Sequence, residues 1–226
     1  MRTLAEVVDR ETISRRVAEL GAEISSDYAG RSPVLLGILK GAVPFLADLT
    51  RALPPEVEID FLSLTRFGDE GRVSISVDSA TSITGRHVII VEDIVDTGLT
   101  LSYLLGLLET RGPASLATAT LIDKSRRRIV DVELQYRGFE IGDEFLLGYG
   151  LDWNGRYRNL PSLWAVMDLA AALRVRIGDE DDRREISRLR AVELAEFETS
   201  GQAVERLALP MQLVDVEHLF GGERIV

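Results

Sequence analysis

One segment of the sequence combines adjacent carboxylates with a short turn of small, hydroxylated residues. Glu92 and Asp93 follow an apolar run, and the turn begins shortly after them. The turn consists of Asp96, Thr97, Gly98, Leu99 and Thr100. Such a turn ahead of a helix directs backbone N–H groups and a helix N-terminus into one pocket, which suits a phosphate. The carboxylates would then bind Mg²⁺ or ribose hydroxyls beside it, although acidic pairs at strand ends also occur as solvated caps.

The apolar pattern around this segment predicts strands that alternate with helices. Strands are expected at residues 34–39, 57–64, 73–77, 87–91, 116–122, 145–149 and 164–167, and helices at 11–28, 43–53 and 100–111. Alternation of this kind predicts an α/β fold with a parallel sheet covered by helices. Ligands of such sheets bind at the carboxyl ends of the strands, so the segments after strands are the candidate binding segments. The glycine-punctuated residues 66–72 are expected to form a polar loop.

Composition narrows the class of protein. The 226 residues carry a formal net charge of −11, which argues against nucleic-acid binding because such proteins need a basic face. The absence of cysteine excludes disulfides, thiolate zinc sites and cysteine nucleophiles, and two histidines are too few for a multi-histidine metal site. The N-terminal segment has no signal-peptide pattern, and no apolar run reaches the roughly 18 residues of a membrane span. We therefore expect a cytoplasmic protein that binds neither membrane nor nucleic acid.

The alternation of apolar strands and helices ends near residue 168, and the composition changes there. A charge run at 179–185 precedes an amphipathic helical stripe of Ile186, Leu189 and Val192, and such a stripe needs a partner surface. We expect residues 168–226 to form a partly helical C-terminal extension. Its predicted role is packing or oligomerisation, and regulation is the alternative.

The acidic segment resembles a known family motif. The string Glu-Asp-Ile-Val-Asp-Thr-Gly at 92–98 resembles the motif with which type I phosphoribosyltransferases bind 5-phosphoribosyl 1-diphosphate (PRPP), in the form of the hypoxanthine-guanine branch. Further matching blocks follow the family's order at 39–42, 60–61, 123–124, 143–152 and 157–161. The resemblance implies a type I phosphoribosyltransferase domain over residues 1–167, with a mainly parallel twisted sheet flanked by helices. The remaining residues form the C-terminal appendage.

The resemblance also implies a purine-salvage reaction. Hypoxanthine or guanine and PRPP would give IMP or GMP and pyrophosphate, with Mg²⁺. Glu92 and Asp93 match the pair that holds the ribose hydroxyls, directly or through Mg²⁺, and Asp152 matches a second metal contact. Asp96 matches the carboxylate that takes the proton from purine N7, which requires it to lie within hydrogen-bond reach of that nitrogen. A turn or helix N-cap residue is the alternative for Asp96.

Two groups of residues match the family's phosphate contacts. The 5′-phosphate cradle corresponds to Asp96, Thr97, Gly98, Leu99 and Thr100. Lys40 and Gly41 match a pyrophosphate-binding turn that often contains a non-proline cis peptide, and Arg158 matches another pyrophosphate contact. An ordinary surface turn and a surface ion pair are the respective alternatives, and such a pair would contribute little to stability.

Three residues match the family's purine contacts. Lys124 corresponds to the lysine that donates to the purine 6-oxo group, and a buried donor there rejects 6-amino purines because it would be left unpaired. Phe145 corresponds to the aromatic ring that stacks on the purine, and the backbone of Leu146 would read the base edge. The alternatives are a solvated lysine at the start of the basic run 124–128 and an ordinary core phenylalanine.

Two departures from the family pattern leave rival functions open. Arg66 and Phe67 occupy positions where the family usually has Ser-Tyr in a mobile loop, so Arg66 is a candidate extra phosphate ligand. The extension at 168–226 is the second departure. One rival is a PRPP-binding regulator that binds RNA, and the other is an interaction protein derived from a phosphoribosyltransferase. The net charge and the retained Asp96 favour the enzyme, which we expect to be a homodimer or homotetramer.

Overall fold

The computed structural model describes residues 2–67, 72–168 and 213–214, which fall into two units. The larger unit consists of Arg10–Asp143 and Gly148–Pro161. The smaller unit consists of the described residues within Met1–Asp9, Glu144–Leu147 and Ser162–Val226. No helix in the described part of the chain is long and apolar enough to cross a membrane.

The described elements follow the predicted alternation through most of the larger unit. The strands are β1 (Arg2–Val8), β2 (Val34–Leu39), β3 (Glu58–Phe67), β4 (Arg72–Val77), β5 (His87–Val95), β6 (Ser115–Asp123), β7 (Tyr136–Glu140), β8 (Phe145–Leu147), β9 (Leu163–Asp168) and β10 (Leu213–Val214). The helices are α1 (Arg10–Asp27), α2 (Val43–Arg51) and α3 (Leu99–Glu109), with a turn of 3₁₀ helix at Ser125–Arg127.

A six-stranded sheet forms the framework of the larger unit. Its strand order is β4-β3-β2-β5-β6-β7, and the pairs from β3 through to β7 are all parallel. Only the β3–β4 pair is antiparallel. Because β2, β5 and β6 are parallel, the segments after them leave the same edge of the sheet. The sheet therefore gathers the turn at Lys40, the turn at Asp96 and the segment at Lys124 on one side.

Apolar burial explains why these elements form. β2 and β5 are buried on both faces, as expected for central strands of a parallel sheet, and Leu36 and Ile90 are fully buried. Helix α1 buries the apolar stripe that its spacing predicts. That stripe consists of Ile13, Val17, Leu20 and Ile24. Helix α3 contributes Leu101, Leu104 and Leu108 to the same core as β2 and β5.

Two strand ends extend further than the sequence predicts. β5 continues to Val95, so Glu92 and Asp93 lie within the strand and not after it. β3 continues through Phe67, and its end pairs with the start of β4, with Arg66 opposite Val73. The prediction of a loop over 66–72 was therefore wrong at its two ends. The polar, glycine-rich composition predicted a loop, but antiparallel pairing between β3 and β4 satisfies the backbone N–H and C=O groups at its two ends.

The smaller unit holds an antiparallel sheet of order β10-β1-β9-β8. Strand β1 was not predicted, because a short N-terminal run acquires its strand character by pairing with β9 and β10. Leu213 and Val214, from the C-terminal extension, pair with Ala5 and Leu4. The predicted amphipathic stripe at 186–192 lies outside the described residues.

Candidate active site

The turn after β5 leads directly into the N-terminus of α3. Gly98 is the N-cap residue and has a φ of 83°. A side chain at this position would overlap the carbonyl oxygen of Val130, so glycine is required by both conformation and space. The carbonyl of Gly98 accepts a hydrogen bond from the N–H of Ser102 at 2.8 Å. The first N–H groups of α3 have no intrahelical acceptors, as at any helix N-terminus, which makes this turn suitable for an anion.

The segment after β6 is fastened to the turn by backbone hydrogen bonds. The N–H of Lys124 donates to the carbonyl of Val95 at 2.9 Å. The N–H groups of Ile129 and Val130 both donate to the carbonyl of Thr97, at 2.9 and 3.1 Å. The two segments therefore form one backbone assembly, which holds residues 96–98 against residues 124–130.

Asp96 lies in an ion pair with Arg127. The Nε atom of Arg127 is 2.8 Å from Oδ1 of Asp96, although its N–H is not aligned for a hydrogen bond. Asp96 Oδ1 is buried, while the side chain as a whole keeps 40% of its accessible surface. Asp96 makes no side-chain cap to α3, so the N-cap interpretation of this residue is wrong.

Burial perturbs the two carboxylates at the end of β5. Burial, together with repulsion from Asp93, raises the pKa of Glu92 well above its usual value. Burial also raises the pKa of Asp93 to about 6, although backbone N–H donors and the charge of Arg158 act in the opposite direction. The Oε2 atom of Glu92 is buried without a hydrogen-bond partner. The solvated-cap interpretation of this pair is therefore wrong.

The turn after β2 packs tightly against this carboxylate pair. The peptide between Leu39 and Lys40 is cis, as the family resemblance implied. A Cβ atom at Gly41 would overlap the carboxylate of Asp93, and a Cβ atom at Gly150 would overlap the carbonyl oxygen of Gly41. Backbone at Gly41 thus lies between Asp93 and Gly150, and the side chain of Lys40 is exposed.

Asp152, which pairs with Arg158, forms an acidic cluster together with Glu92 and Asp93. The Nη2 atom of Arg158 is 2.5 Å from Asp152 Oδ1, and its Nη1 atom donates to the carbonyl of Gly150 at 2.6 Å. Asp152 Oδ2 accepts a hydrogen bond from the N–H of Gly155 at 2.7 Å. Both Asp152 and Arg158 influence the ionisation of Asp93 electrostatically.

This cluster suits a hard divalent cation that is shared with a substrate. Within residues 2–67, 72–168 and 213–214, no three acidic or histidine side chains converge closely enough to hold a metal by themselves. Mg²⁺ usually takes only one or two carboxylates and completes its shell with phosphate oxygens and water. Glu92 Oε2 is buried without a hydrogen-bond partner and burial raises the pKa of Asp93 to about 6, so a bound cation would stabilise the ionised form of both carboxylates. The residues therefore fit Mg²⁺.

Lys124 is buried at the end of β6, with only 5% of its surface exposed, so the solvated-lysine interpretation is wrong. The neighbouring Asp123 is also buried and pairs with Arg128, while Arg137 lies 3.5 Å from its second oxygen. The guanidinium of Arg128 thus neutralises Asp123, the carboxylate next to Lys124 in the sequence.

Phe145 and Leu146 lie on β8 of the smaller unit. Phe145 keeps 53% of its surface exposed, so it is not a core phenylalanine, whereas Leu146 is buried. Their assignment to the purine stays a prediction. The side chain of Arg66 lies outside the described residues, and its role also stays a prediction.

Sequence reasoning missed two residues that contact the site. Arg127 belongs to a basic run whose charge was visible, but nothing in that run indicated which arginine meets Asp96. Gly150 lies in a Gly-Tyr-Gly string, and its close approach to Gly41 depends on a contact between distant segments. A positive φ of 101° at Gly150 is consistent with the requirement for glycine.

Comparison with known proteins defines the class of this chain. The family model described as "Phosphoribosyl transferase domain" matches residues 4–154. The chain therefore belongs to the phosphoribosyltransferase family.

The similar proteins come from the hypoxanthine-guanine branch. The chain is 44% identical to the hypoxanthine-guanine phosphoribosyltransferase of Bacillus subtilis over 159 residues, which is 69% of this chain and 88% of that protein. The crystal structure of the Bacillus anthracis hypoxanthine-guanine phosphoribosyltransferase matches with a TM-score of 0.70 and 40% identity, over 72% of this chain and 98% of that one. The Trypanosoma cruzi hypoxanthine phosphoribosyltransferase in complex with the product IMP matches with a TM-score of 0.69 and 38% identity, over 74% and 95%. These findings confirm the family and the fold class that the motifs predicted.

Proposed function

We infer that this chain is an enzyme of purine salvage, which transfers the 5-phosphoribosyl group of PRPP to hypoxanthine or guanine. The products are IMP or GMP and pyrophosphate. The observation that carries this function is the convergence of three strand-end segments, at Lys40, Asp96 and Lys124, on one edge of the sheet. An anion-binding turn, a carboxylate base and a buried cation beside one another are what this transfer needs.

Asp96 is the proposed general base. As the bond between purine N9 and ribose C1′ forms, the bond between C1′ and the pyrophosphate oxygen breaks. The proton on purine N7 passes to the Asp96 carboxylate, which must lie within hydrogen-bond reach of that nitrogen. Its position between β5 and α3, with exposed surface remaining on its side chain, supports this role.

The turns after β5 and β2 are proposed to bind different anions. Residues Asp96, Thr97, Gly98, Leu99 and Thr100 bind the 5′-phosphate at the N-terminus of α3, where backbone donors and the helix dipole favour negative charge. The exposed side chain of Leu99 does not weaken this cradle, because backbone N–H groups form it. Lys40, Gly41 and Arg158 bind the pyrophosphate, and Arg66 is an additional candidate ligand for it.

Glu92, Asp93 and Asp152 are the residues that would hold Mg²⁺. When bound, the ion neutralises charge that develops on the departing pyrophosphate. The carboxylates would accept hydrogen bonds from the ribose hydroxyls and would coordinate the ion through their oxygens. The unpartnered Oε2 of Glu92 and the raised pKa of Asp93 support this assignment, because a cation would stabilise the ionised carboxylates.

Lys124 is proposed to select 6-oxopurines. Its amino group donates to the purine 6-oxo oxygen, and its burial makes an unpaired donor costly when a 6-amino group takes that place. Phe145 is proposed to stack on the ring, and the backbone of Leu146 to read the base edge. Stacking of a base on an aromatic ring contributes about 1–3 kcal/mol.

Nucleotide formation from each purine base tests this function. Hypoxanthine and guanine should give IMP and GMP with PRPP and Mg²⁺, adenine should not react, and EDTA should abolish turnover. Chromatography of the nucleotides measures the outcome, and the Lys124→Met variant should lose most of its activity with the two substrates. Efficient turnover of adenine would show that Lys124 does not select 6-oxopurines. PRPP binding without turnover of any base would favour the regulatory alternative.

We also propose that the protein is a cytoplasmic homodimer or homotetramer, with residues 168–226 as a packing or oligomerisation element. Pairing of Leu213 and Val214 with β1 supports a packing role. Light scattering of the full chain and of residues 1–167 compares their assembly, and turnover at saturating substrates compares their activity. A truncated protein with an unchanged oligomeric state and unchanged stability but no activity would contradict this role.

A further inference from the structure

We propose that Arg127 is a positioning residue for Asp96, which it holds by one carboxylate oxygen so that the other is presented to the purine. The proposal rests on the proposed function, since it concerns the group that accepts the proton. It is carried by the ion pair between Arg127 Nε and Asp96 Oδ1, 2.8 Å apart.

The exposure of Asp96 is divided unequally between its two oxygens. Oδ1 is buried beneath the Arg127 guanidinium, yet the side chain keeps 40% of its accessible surface. That surface belongs to the remaining side-chain atoms, and Oδ2 is the only polar atom among them. The arrangement therefore leaves Oδ2 as the oxygen that a ligand reaches.

The backbone holds Arg127 in place independently of the ion pair. Its N–H donates to the carbonyl of Lys124 at 2.9 Å, within the 3₁₀ turn. Lys124 is in turn bonded to Val95, and the residues that follow the turn are bonded to Thr97. Arg127 and Asp96 thus project from segments that are tied together on both sides of the contact.

The buried carboxylate nearest to Arg127 in sequence is already paired with other arginines. Asp123, the buried carboxylate nearest in sequence, is taken by Arg128 and approached by Arg137. Arg127 pairs with Asp96, whereas Arg128 and Arg137 pair with Asp123, so the three arginines serve two different carboxylates. Lys124, which is proposed to bind the purine, belongs to the same segment, so the residue that recognises the base also fixes the backbone that orients the proton acceptor.

The ion pair is suited to orientation more than to stability. The side chains of Arg127 and Asp96 are 47% and 40% exposed, and pairs with this exposure add little to the stability of a fold. Orientation of a reacting group, by contrast, changes rates strongly, because small displacements lengthen the path of the proton. Loss of Arg127 should consequently reduce kcat and leave thermal stability unchanged.

A double-mutant cycle with the full-length protein tests this role. Arg127→Ala is combined with Asp96→Asn, and kcat, the KM for PRPP and the melting temperature are measured for all four proteins. Arg126→Ala is the matched control, since Arg126 is the exposed neighbour in the same 3₁₀ turn and removes the same charge. Arg127→Lys keeps the charge but not the Nε contact.

Arg127→Ala should lower kcat by about tenfold while the KM for PRPP and the melting temperature stay within twofold and about 1 °C. Arg127→Lys should recover only part of the loss, and Arg126→Ala should behave as wild type. In the Asp96→Asn background, Arg127→Ala should change kcat by less than about twofold, because the positioned group has lost its function.

An equal loss in both backgrounds, or an equal loss in Arg126→Ala, would overturn the positioning role. A wild type that turns over no purine base would instead overturn the proposed function, and this inference with it. Binding of PRPP, followed by calorimetry, separates the two results from a folding defect, because every variant should still bind PRPP with its wild-type affinity.

Discussion

The turns after β2 and β5 lie at the same sheet edge, on paired neighbouring strands, but they are built differently. The β5 turn carries hydroxyl and carboxylate side chains and ends in the N-terminus of a helix. The β2 turn, Lys40 and Gly41, offers one exposed side chain and a backbone that packs between Asp93 and Gly150.

The difference distinguishes two ways in which the proposed anion sites are formed. In the β5 turn, residue types and the helix start make the site locally, so tertiary structure only has to position it. In the β2 turn, the site depends on close approach between distant backbones, which only glycine permits at Gly41 and Gly150. Variants can therefore separate the loss of a reacting group in the β5 turn from the loss of close backbone packing in the β2 turn.

Removing the proton acceptor from the β5 turn should have the largest effect. Asp96→Asn keeps the shape of the side chain but cannot take the N7 proton, so kcat should fall by about 10²–10⁴-fold. The KM for PRPP should change little, because backbone donors form the proposed phosphate cradle. Steady-state kinetics with hypoxanthine measure both values, and an unchanged kcat would remove Asp96 from the mechanism.

Adding a methyl group to the β2 turn should have the next largest effect. In Gly41→Ala, the new Cβ atom overlaps the Asp93 carboxylate, so the turn and the acidic cluster must separate. A displacement of this kind should lower kcat/KM for PRPP by about 100-fold.

Gly106→Ala is the control for that variant, because Gly106 lies in α3 with open space around its Cβ position. This change should raise the free energy of unfolding by about 0.5–1 kcal/mol and leave activity unchanged. Similar kinetic effects of the two substitutions would show that the packing of Gly41 does not matter.

Arg66 lies at the end of a third strand, β3. Arg66→Ala should raise the KM for PRPP or lower kcat by about tenfold, since a desolvated charge-assisted contact contributes about 1.5–3 kcal/mol. Arg31→Ala is the control, because Arg31 is exposed and precedes the amino end of β2. Identical kinetics for Arg66→Ala and the control would exclude Arg66 from the pyrophosphate site.

A carboxylate within β3 should affect stability and leave the chemistry intact. Burial would raise the pKa of Asp60, but hydrogen bonds from Ser79 Oγ and from the N–H groups of Thr81 and Phe61 outweigh it and hold the pKa at about 2. Because the folded-state pKa lies below the usual value, the stabilisation is complete above about pH 4 and is lost as the pH falls towards 2.

Asp60→Asn should therefore lower the free energy of unfolding at pH 7 by about 1–2 kcal/mol, and this difference should shrink below pH 4. Urea unfolding at several pH values measures it, with the exposed Asp131→Asn as the control. Unchanged kcat is expected. A difference that persists at pH 2 would contradict the role of the ionised carboxylate.

Local pattern was sufficient for much of the fold. β2 was predicted to the residue, and α1 and α3 within one or two residues at either end, because apolar spacing and glycine punctuation specify continuous buried elements. β1 and β7 were missed, since the strand character of short mixed runs arises from pairing with β9 and β6.

The sequence by itself determined the family, the proposed anion-binding turn and the identity of the carboxylates beside it, because these are properties of residue type and local spacing. Tertiary structure alone decided that Lys124 is buried, that Gly41 lies between Asp93 and Gly150, and that Arg127 and not its neighbours meets Asp96. Each of these depends on contact between segments far apart in the chain. Such contacts are set by the packing of the whole sheet, and no local pattern of residues encodes them.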